Sequence, residues 1–133
     1  MNAVFLDTVG ILALLERSDQ WHEAATRAWT TLNEAGRPLR TTTLVPFECG
    51  NAVARKPYRR RIVELLREFQ ADGTLIAPTE PDIDSAWEAY ERGKAGNAGV
   101  VDHVSFVVMR RLGLTEAFSS DNHFRAAGFR TLF

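Results

Sequence analysis

The sequence predicts an α/β fold, a three-layer α/β/α sandwich with a short, mostly parallel central sheet. Short apolar or threonine-rich runs alternate along the chain with longer segments whose apolar residues recur at helical spacing. Strands that alternate with helices in this way favour parallel βαβ units. The chain has 133 residues, of which 45% are hydrophobic and 25% are charged, so one domain can build its own core. Because no linker, repeat or low-complexity segment interrupts it, we expect a single domain over residues 1–133.

The first half of the chain contains two predicted strands, each followed by helices. Residues 3–6 form a short apolar run that ends at Asp7, and residues 38–43 form a run rich in threonine. The spacing of apolar residues predicts helices over residues 10–17, 21–35, 45–54 and 59–71. We expect Ser18 or Asp19 to cap the second of these helices.

The second half continues the alternation of strands and helices. Strands are predicted over residues 74–77 and 116–119, with an edge strand over 129–132, and helices over residues 82–92, 100–112 and 122–127. We expect the large side chains of these helices, and the tryptophans of the earlier one, to face the core: Trp21, Trp29, Ile83, Ala86, Trp87, Tyr90, Phe106 and Phe124.

Composition excludes several classes of protein. Lysine and arginine number 16 against 17 acids, and the net charge of −1 excludes a generally basic nucleic-acid coat protein or a polybasic membrane-surface protein. Cys49 is the only cysteine, so neither an intramolecular disulfide nor a cysteine-based zinc site is expected. The start of the chain lacks a basic segment, unlike a secretory signal, and no apolar run approaches the ~18 residues of a membrane helix. We therefore expect a cytoplasmic protein with no membrane partner.

Four acids occupy positions where an open α/β sheet binds ligands. Asp7 and Asp121 follow predicted strands, Glu48 lies in the first turns of the helix after the second strand, and Asp102 opens an apolar helix. Singly, each is also explained as a helix cap, a helix-dipole partner or a solvated side chain. Together, crowded carboxylates repel one another unless a cation lies among them, and oxygen ligands suit Mg²⁺ or Mn²⁺. The pattern thus indicates metal-assisted phosphoryl chemistry.

The sequence around these acids resembles the PIN-domain ribonucleases, in particular the VapC toxins of type II toxin–antitoxin pairs. The resemblance rests on four motifs spread over nearly the whole chain. They are residues 5–8 (Phe-Leu-Asp-Thr), residues 41–48 with Asn51, residues 101–111, and residues 119–124 (Ser-Ser-Asp-Asn-His-Phe) followed by 127–129 (Ala-Gly-Phe). The loop of residues 92–99 departs from the pattern that such toxins carry before the third acid.

The resemblance implies an endoribonuclease with an acidic Mg²⁺ or Mn²⁺ site. By position, Asp7 and Asp102 would be the firmest metal ligands. Asp121 would support the metal, and Glu48 would complete the cluster and orient the attacking water. Ser119 and Thr8 would supply supporting hydroxyls. Similar toxins form homodimers and are blocked by a small antitoxin whose tail lies in the active-site groove, so the expected partners are RNA, an antitoxin and a second copy.

A basic cluster provides a further candidate contact with RNA. Five positive charges fall within seven positions: Arg55, Lys56, Arg59, Arg60 and Arg61. Such a cluster suits the phosphate backbone of RNA or an acidic partner segment, and it is equally typical of a solvated helix start.

Two other functional classes compete with the ribonuclease hypothesis. One is a non-catalytic RNA-binding or protein-interaction module on the same fold, which the basic cluster and the atypical loop favour. The other is a different phosphoryl enzyme. A haloacid-dehalogenase-like phosphatase needs an acid at the position of Val9, and neither a P-loop nor a dinucleotide-binding glycine motif is present.

Overall fold

A five-stranded sheet organises the computed structural model, which describes residues 1–133. The strand order is β3-β2-β1-β4-β5, and every neighbouring pair is parallel. In chain order the elements are β1 (Val4–Leu6), α1 (Thr8–Leu15), α2 (His22–Glu34), β2 (Leu39–Thr42), α3 (Leu44–Ala52), α4 (Arg60–Asp72), β3 (Leu75–Ile76), α5 (Glu80–Glu91), α6 (Val100–Leu112), β4 (Glu116–Phe118), α7 (Asn122–Ala126) and β5 (Arg130–Thr131). The predicted α/β class with a largely parallel sheet is confirmed.

Helices cover both faces of the sheet. Val4, Phe5 and Leu6 of the central strand β1 are all fully buried. Because successive side chains of a strand point to opposite faces, burial of all three requires packing on both sides. No helix is long and apolar enough to cross a membrane.

Helix α1 packs unusually close to the end of strand β4. A Cβ atom built on Gly10 would lie 2.0 Å from the carbonyl oxygen of Phe118, so only glycine fits there. This close approach sets the start of α1 beside the chain that leaves β4. It thereby brings the residue after β1 next to the residues after β4.

Helix starts differ from the predictions where a side chain caps the helix. Helix α5 begins two residues earlier than predicted, because Thr79 and Asp82 form a reciprocal capping box. The predicted cap of α2 is wrong, because its N-cap is Trp21, which makes no capping hydrogen bond through its side chain. Asp19 instead accepts a hydrogen bond from the Trp21 backbone at 2.8 Å, in the turn before the helix.

Three of the predicted core aromatics are exposed. Trp21, Trp87 and Tyr90 are 40%, 52% and 49% exposed, so their prediction as inward-facing residues is wrong. Helix α5 packs on α6 through a small residue, Ala86, which forms a compact cluster with two valines of α6. Trp87 lies outside this contact and packs edge-on against Tyr90, with ring centroids 5.6 Å apart.

Candidate active site

Asp7 forms the buried centre of the candidate site. It caps α1 directly after β1 and is only 2% exposed. Its Oδ2 atom accepts hydrogen bonds from the Ser119 hydroxyl at 2.8 Å and from the Val9 backbone N–H at 3.3 Å. Neither of these donors bonds the Oδ1 atom, which therefore has a lone pair to offer to a ligand.

The hydroxyl of Ser119 links two of the candidate acids. Ser119 is fully buried just after β4, where it donates to Asp7 and accepts a hydrogen bond from the Asp121 backbone N–H at 3.0 Å. This pair of bonds fixes the chain after β4 against the chain after β1. The structure therefore brings Asp7 and Asp121 to one end of the sheet through a single serine.

Asp102, Asp121 and His123 form a tight cluster beside Asp7. One ligand atom from each lies within 4.8 Å of the others. The Nδ1 atom of His123 is 3.1 Å from Asp121 Oδ1 and 3.9 Å from Asp102 Oδ2. Asp121 also caps α7 by accepting a hydrogen bond from the His123 backbone.

Glu48 borders the cluster from helix α3. It is half-buried, and its Oε1 atom accepts a short hydrogen bond from the hydroxyl of Thr8. Its negative charge acts on Asp102, although its carboxylate lies outside the tight group of three ligand atoms. The Thr41 hydroxyl ties the ends of β1 and β2 together through the Leu6 carbonyl at 2.7 Å, which sets α3 close to Asp7.

Burial and repulsion between the acids both disfavour negative charge in the site. Burial, together with the negative charges of Asp102 and Asp121, raises the pKa of Asp7 to about 8. Burial and the charges of Asp121 and Glu48 raise the pKa of Asp102 to about 6, against the opposing effect of His123. No lysine or arginine forms an ion pair with any of the four acids. An arrangement of this kind favours a cation supplied from outside the chain.

Sequence comparison connects this geometry to a known family. No protein-family model matches the chain. The 23S rRNA-specific endonuclease VapC20 of Mycobacterium tuberculosis, from strains CDC 1551 and H37Rv, is 32% identical to the chain over 131 residues. The alignment covers 95% of both proteins. The chain belongs to the VapC family of PIN-domain toxins. As a VapC protein it is a ribonuclease toxin.

Solved structures agree with this placement in the VapC family. The crystal structure of M. tuberculosis VapC20, described as a toxin that cleaves the sarcin-ricin loop, has a TM-score of 0.77 and 28% identity, with 95% of each chain covered. The structure of FitAcB from Neisseria gonorrhoeae has a TM-score of 0.64 and 16% identity, with 96% of this chain and 95% of that chain covered. The second likeness concerns the fold alone.

The predicted basic cluster lies away from the acids of this VapC protein. Lys56 forms an ion pair with Glu16 at 3.2 Å, just beyond the last turn of α1. Asp7 caps the other end of that helix, about 12 Å away at 1.5 Å per residue. Arg61 pairs with Glu64, and Arg59 bonds the Ala54 carbonyl, whereas Arg55 and Arg60 make no ion pair.

Two polar residues beside the acids were not predicted as part of the site. His123 contacts Asp121 and Asp102 through Nδ1, and its Nε2 atom bonds the Asn97 side chain at 2.8 Å. This second bond attaches the loop before α6 to helix α7. The sequence signal was the position of His123 two residues after Asp121, where its backbone and ring both reach the capping carboxylate.

Proposed function

We propose that this chain is a divalent-metal-dependent endoribonuclease whose metal is held by Asp7, Asp102 and Asp121, with Glu48 completing the site. The observation that carries the proposal is the convergence of these carboxylates without any basic partner. Burial, together with the charges of Asp102 and Asp121, raises the pKa of Asp7 to about 8. Carboxylate oxygens suit Mg²⁺ and Mn²⁺ better than they suit zinc. The donor set therefore fits the ion that the resemblance implies.

Each residue of the site has its own proposed role in hydrolysis. Asp7 and Asp102 are the proposed direct ligands, and Asp121 supports the same ion. Ser119 holds Asp7 in place, and Thr8 holds Glu48, so that the free Glu48 oxygen can accept a hydrogen bond from the attacking water. When bound, the cation would lower the pKa of that water and stabilise charge on a phosphate oxygen. In hydrolysis the water oxygen bonds to phosphorus, the bond between phosphorus and the 3′-oxygen breaks, and the proton that the water loses is balanced by one that the leaving 3′-oxygen gains from solvent.

The proposed substrate is a structured ribosomal RNA. The relative with 32% identity is a 23S rRNA-specific endonuclease, and its structure is that of a toxin that cleaves the sarcin-ricin loop. Since alignment and structural match cover 95% of both chains, we extend this substrate class to the present chain. We propose a cytoplasmic location on the same basis, because that is where ribosomal RNA is found.

Protein partners follow from the same site. A lysine or arginine of the antitoxin tail would neutralise the acidic cluster by forming charge-assisted hydrogen bonds with it. We also propose a homodimer, as in similar toxins. Arg55, Arg59 and Arg60 are the members of the basic cluster without an ion pair, and so they are the best placed to contact RNA phosphates.

The direct test is cleavage of a sarcin-ricin-loop RNA hairpin by the antitoxin-free protein, with Mg²⁺, with Mn²⁺ and with chelator. We expect metal-dependent cleavage by the wild type and a loss of about a thousandfold in Asp7→Asn and Asp102→Asn, since metal stabilisation contributes several kcal/mol. Asp82→Asn is the matched control at a buried carboxylate outside the site.

Two results would contradict the proposal. Cleavage by both site variants at the wild-type rate in Mg²⁺ would remove the metal role of the acids. RNA binding without any cleavage, unaffected by Mg²⁺ and by both substitutions, would favour the alternative of a non-catalytic binding module.

A further inference from the structure

A small cavity behind helix α7 has a lining whose charged groups are all basic. It has a volume of about 200 Å³ and lies between α5, the loop before α6, α6 itself and α7. Its polar lining consists of Lys94, His103 and Arg110, and the remaining residues are alanines and Phe106. No carboxylate lines the cavity, in contrast with the acidic site on the neighbouring face of α6.

The basic groups of the cavity have no anionic partner in the protein. Lys94 is exposed and makes no ion pair. Arg110 donates to the Ala127 carbonyl at 2.8 Å, and its guanidinium lies 5.3 Å from the centre of the Phe129 ring. These contacts hold Arg110 at the wall of the cavity and leave most of its five N–H donors free for a ligand.

His103 provides an independent indication of a ligand. The residue is only 3% exposed, and its Nε2 atom is buried without any hydrogen-bond partner. Buried ring nitrogens are ordinarily paired, and His103 belongs to the cavity lining. Because Nε2 is itself buried, an oxygen of a ligand in the cavity would pair with it after a small rotation of the ring.

We propose that the cavity lined by Lys94, His103 and Arg110 binds a phosphate group, and that in the working enzyme this is a backbone phosphate of the RNA beside the scissile one. Phosphate carries negative charge and several acceptor oxygens, which match an ammonium, a guanidinium and an imidazole N–H. The RNA assignment rests on the proposed ribonuclease function, whereas the preference for phosphate does not.

The position of the cavity connects it to the acidic site. His103 follows Asp102 on α6, and Ala126 and Ala127 of the cavity wall end the short helix that Asp121 caps. The bond between Asn97 and His123 attaches the loop that carries Lys94 to the same helix. The cavity and the acids therefore share helices α6 and α7, which is why we assign the bound phosphate to the strand that the acids cleave.

The first test uses inorganic phosphate and needs neither RNA nor metal. Isotope-labelled protein in chelator is titrated with phosphate and followed by NMR. We expect saturable shifts at His103 and Lys94 in the wild type, and binding weakened about twofold to fivefold by Lys94→Gln, the range of an exposed ion pair. Arg92→Gln makes the same charge change two residues away, outside the cavity, and should bind as the wild type does. Equal binding by Lys94→Gln and Arg92→Gln, or no shift at His103, would overturn the proposal.

The second test separates an RNA phosphate from free phosphate. It uses a series of sarcin-ricin-loop hairpins, each of which carries one uncharged methylphosphonate at a different backbone position. The affinity of each hairpin for the wild type and for Lys94→Gln is measured in chelator, where no cleavage occurs. We expect one position to weaken binding to the wild type and to have no effect on Lys94→Gln. The slope of log affinity against log salt should also fall by about 0.7, the value of one phosphate contact.

The outcomes distinguish this inference from the proposed function. Phosphate binding with identical methylphosphonate profiles in wild type and Lys94→Gln would overturn the RNA assignment and leave a site for free phosphate. Failure of the wild type to bind the hairpin at all would contradict the proposed substrate, and the phosphate titration alone would then decide the cavity.

Discussion

Asp7 and Asp82 are both buried carboxylates, but their pKa values are shifted in opposite directions. Both lie at the start of a helix, and they are 2% and 4% exposed. Arg111 approaches Asp82 with two nitrogens, at 3.0 and 2.7 Å, and this pairing lowers the pKa of Asp82. Asp7 has other acids beside it and a pKa raised to about 8.

The difference separates an acid that the chain itself neutralises from one that it leaves without a basic partner. Asp82 is neutralised by the chain itself, through Arg111 and the capping box with Thr79. The start of a helix attracts both carboxylates, so the helix dipole does not account for the contrast. Asp7 lacks a cation from the chain, so its ionised form is favourable in this position only when a cation is supplied from outside, and without one its protonated form is favoured.

The largest expected contrast is in the stability of the metal-free protein. Asp82→Asn should lower the free energy of unfolding by about 1 to 2 kcal/mol, less than for a fully buried pair because Arg111 reaches solvent. Asp7→Asn should raise it at pH 8 by at least about 1 kcal/mol, the equivalent of one pKa unit, because it removes a buried charge and its repulsion by the neighbouring acids. Thermal melts in chelator measure both changes. Destabilisation by Asp7→Asn comparable to that by Asp82→Asn would mean that Asp7 is a structural acid.

The dependence of stability on pH also distinguishes Asp7 from Asp82. The pKa of Asp7 rises from 3.8 to about 8 in the folded state, and that of Asp102 to about 6, so the folded protein retains protons that the unfolded chain releases. The contribution of Asp7 and Asp102 to the free energy of unfolding is complete below pH 3.8 and is lost as the pH rises through about 6 and about 8. The stability that Asp82 contributes changes with pH in the opposite direction, because it is lost as the pH falls through the lowered pKa of Asp82.

Melting temperatures in chelator should therefore fall between pH 6 and 8, and Asp7→Asn should reduce this slope. Adding Mn²⁺ should raise the melting temperature more at pH 8 than at pH 6, because the metal competes with protons for these carboxylates. A slope that is the same in the wild type and in Asp7→Asn would show that Asp7 does not retain its proton.

The positions of the acids were largely predictable, because strand ends in a parallel sheet meet at one edge. The apolar helix Val100–Leu112 was likewise predicted with the bounds that the structure has. Other features depend on tertiary contacts that a linear pattern does not contain. Trp87 faces solvent because Ala86 makes the close contact with α6. Residues 97 and 123 are far apart in the chain, so the bond between Asn97 and His123 could not be read from spacing.

The smallest expected effect concerns the support of Asp7 by Ser119. Ser119→Ala removes the hydroxyl that donates to Asp7, and loss of such a supporting bond should weaken metal affinity about tenfold. Ser105→Ala is the matched control, because Ser105 is also fully buried but bonds only the Val101 carbonyl of its own helix. Mn²⁺ titrations compare the two variants. Equal weakening in both would point to a general packing effect.

The measurement that tests the central claim most directly is calorimetric titration of the metal-free wild type, Asp7→Asn and Asp82→Asn with Mn²⁺ near neutral pH. We predict that Asp82→Asn binds Mn²⁺ with the affinity of the wild type and that Asp7→Asn binds it at least about tenfold more weakly. Binding of Mn²⁺ by Asp7→Asn with wild-type affinity would contradict the assignment of the buried acid after β1 as a metal ligand.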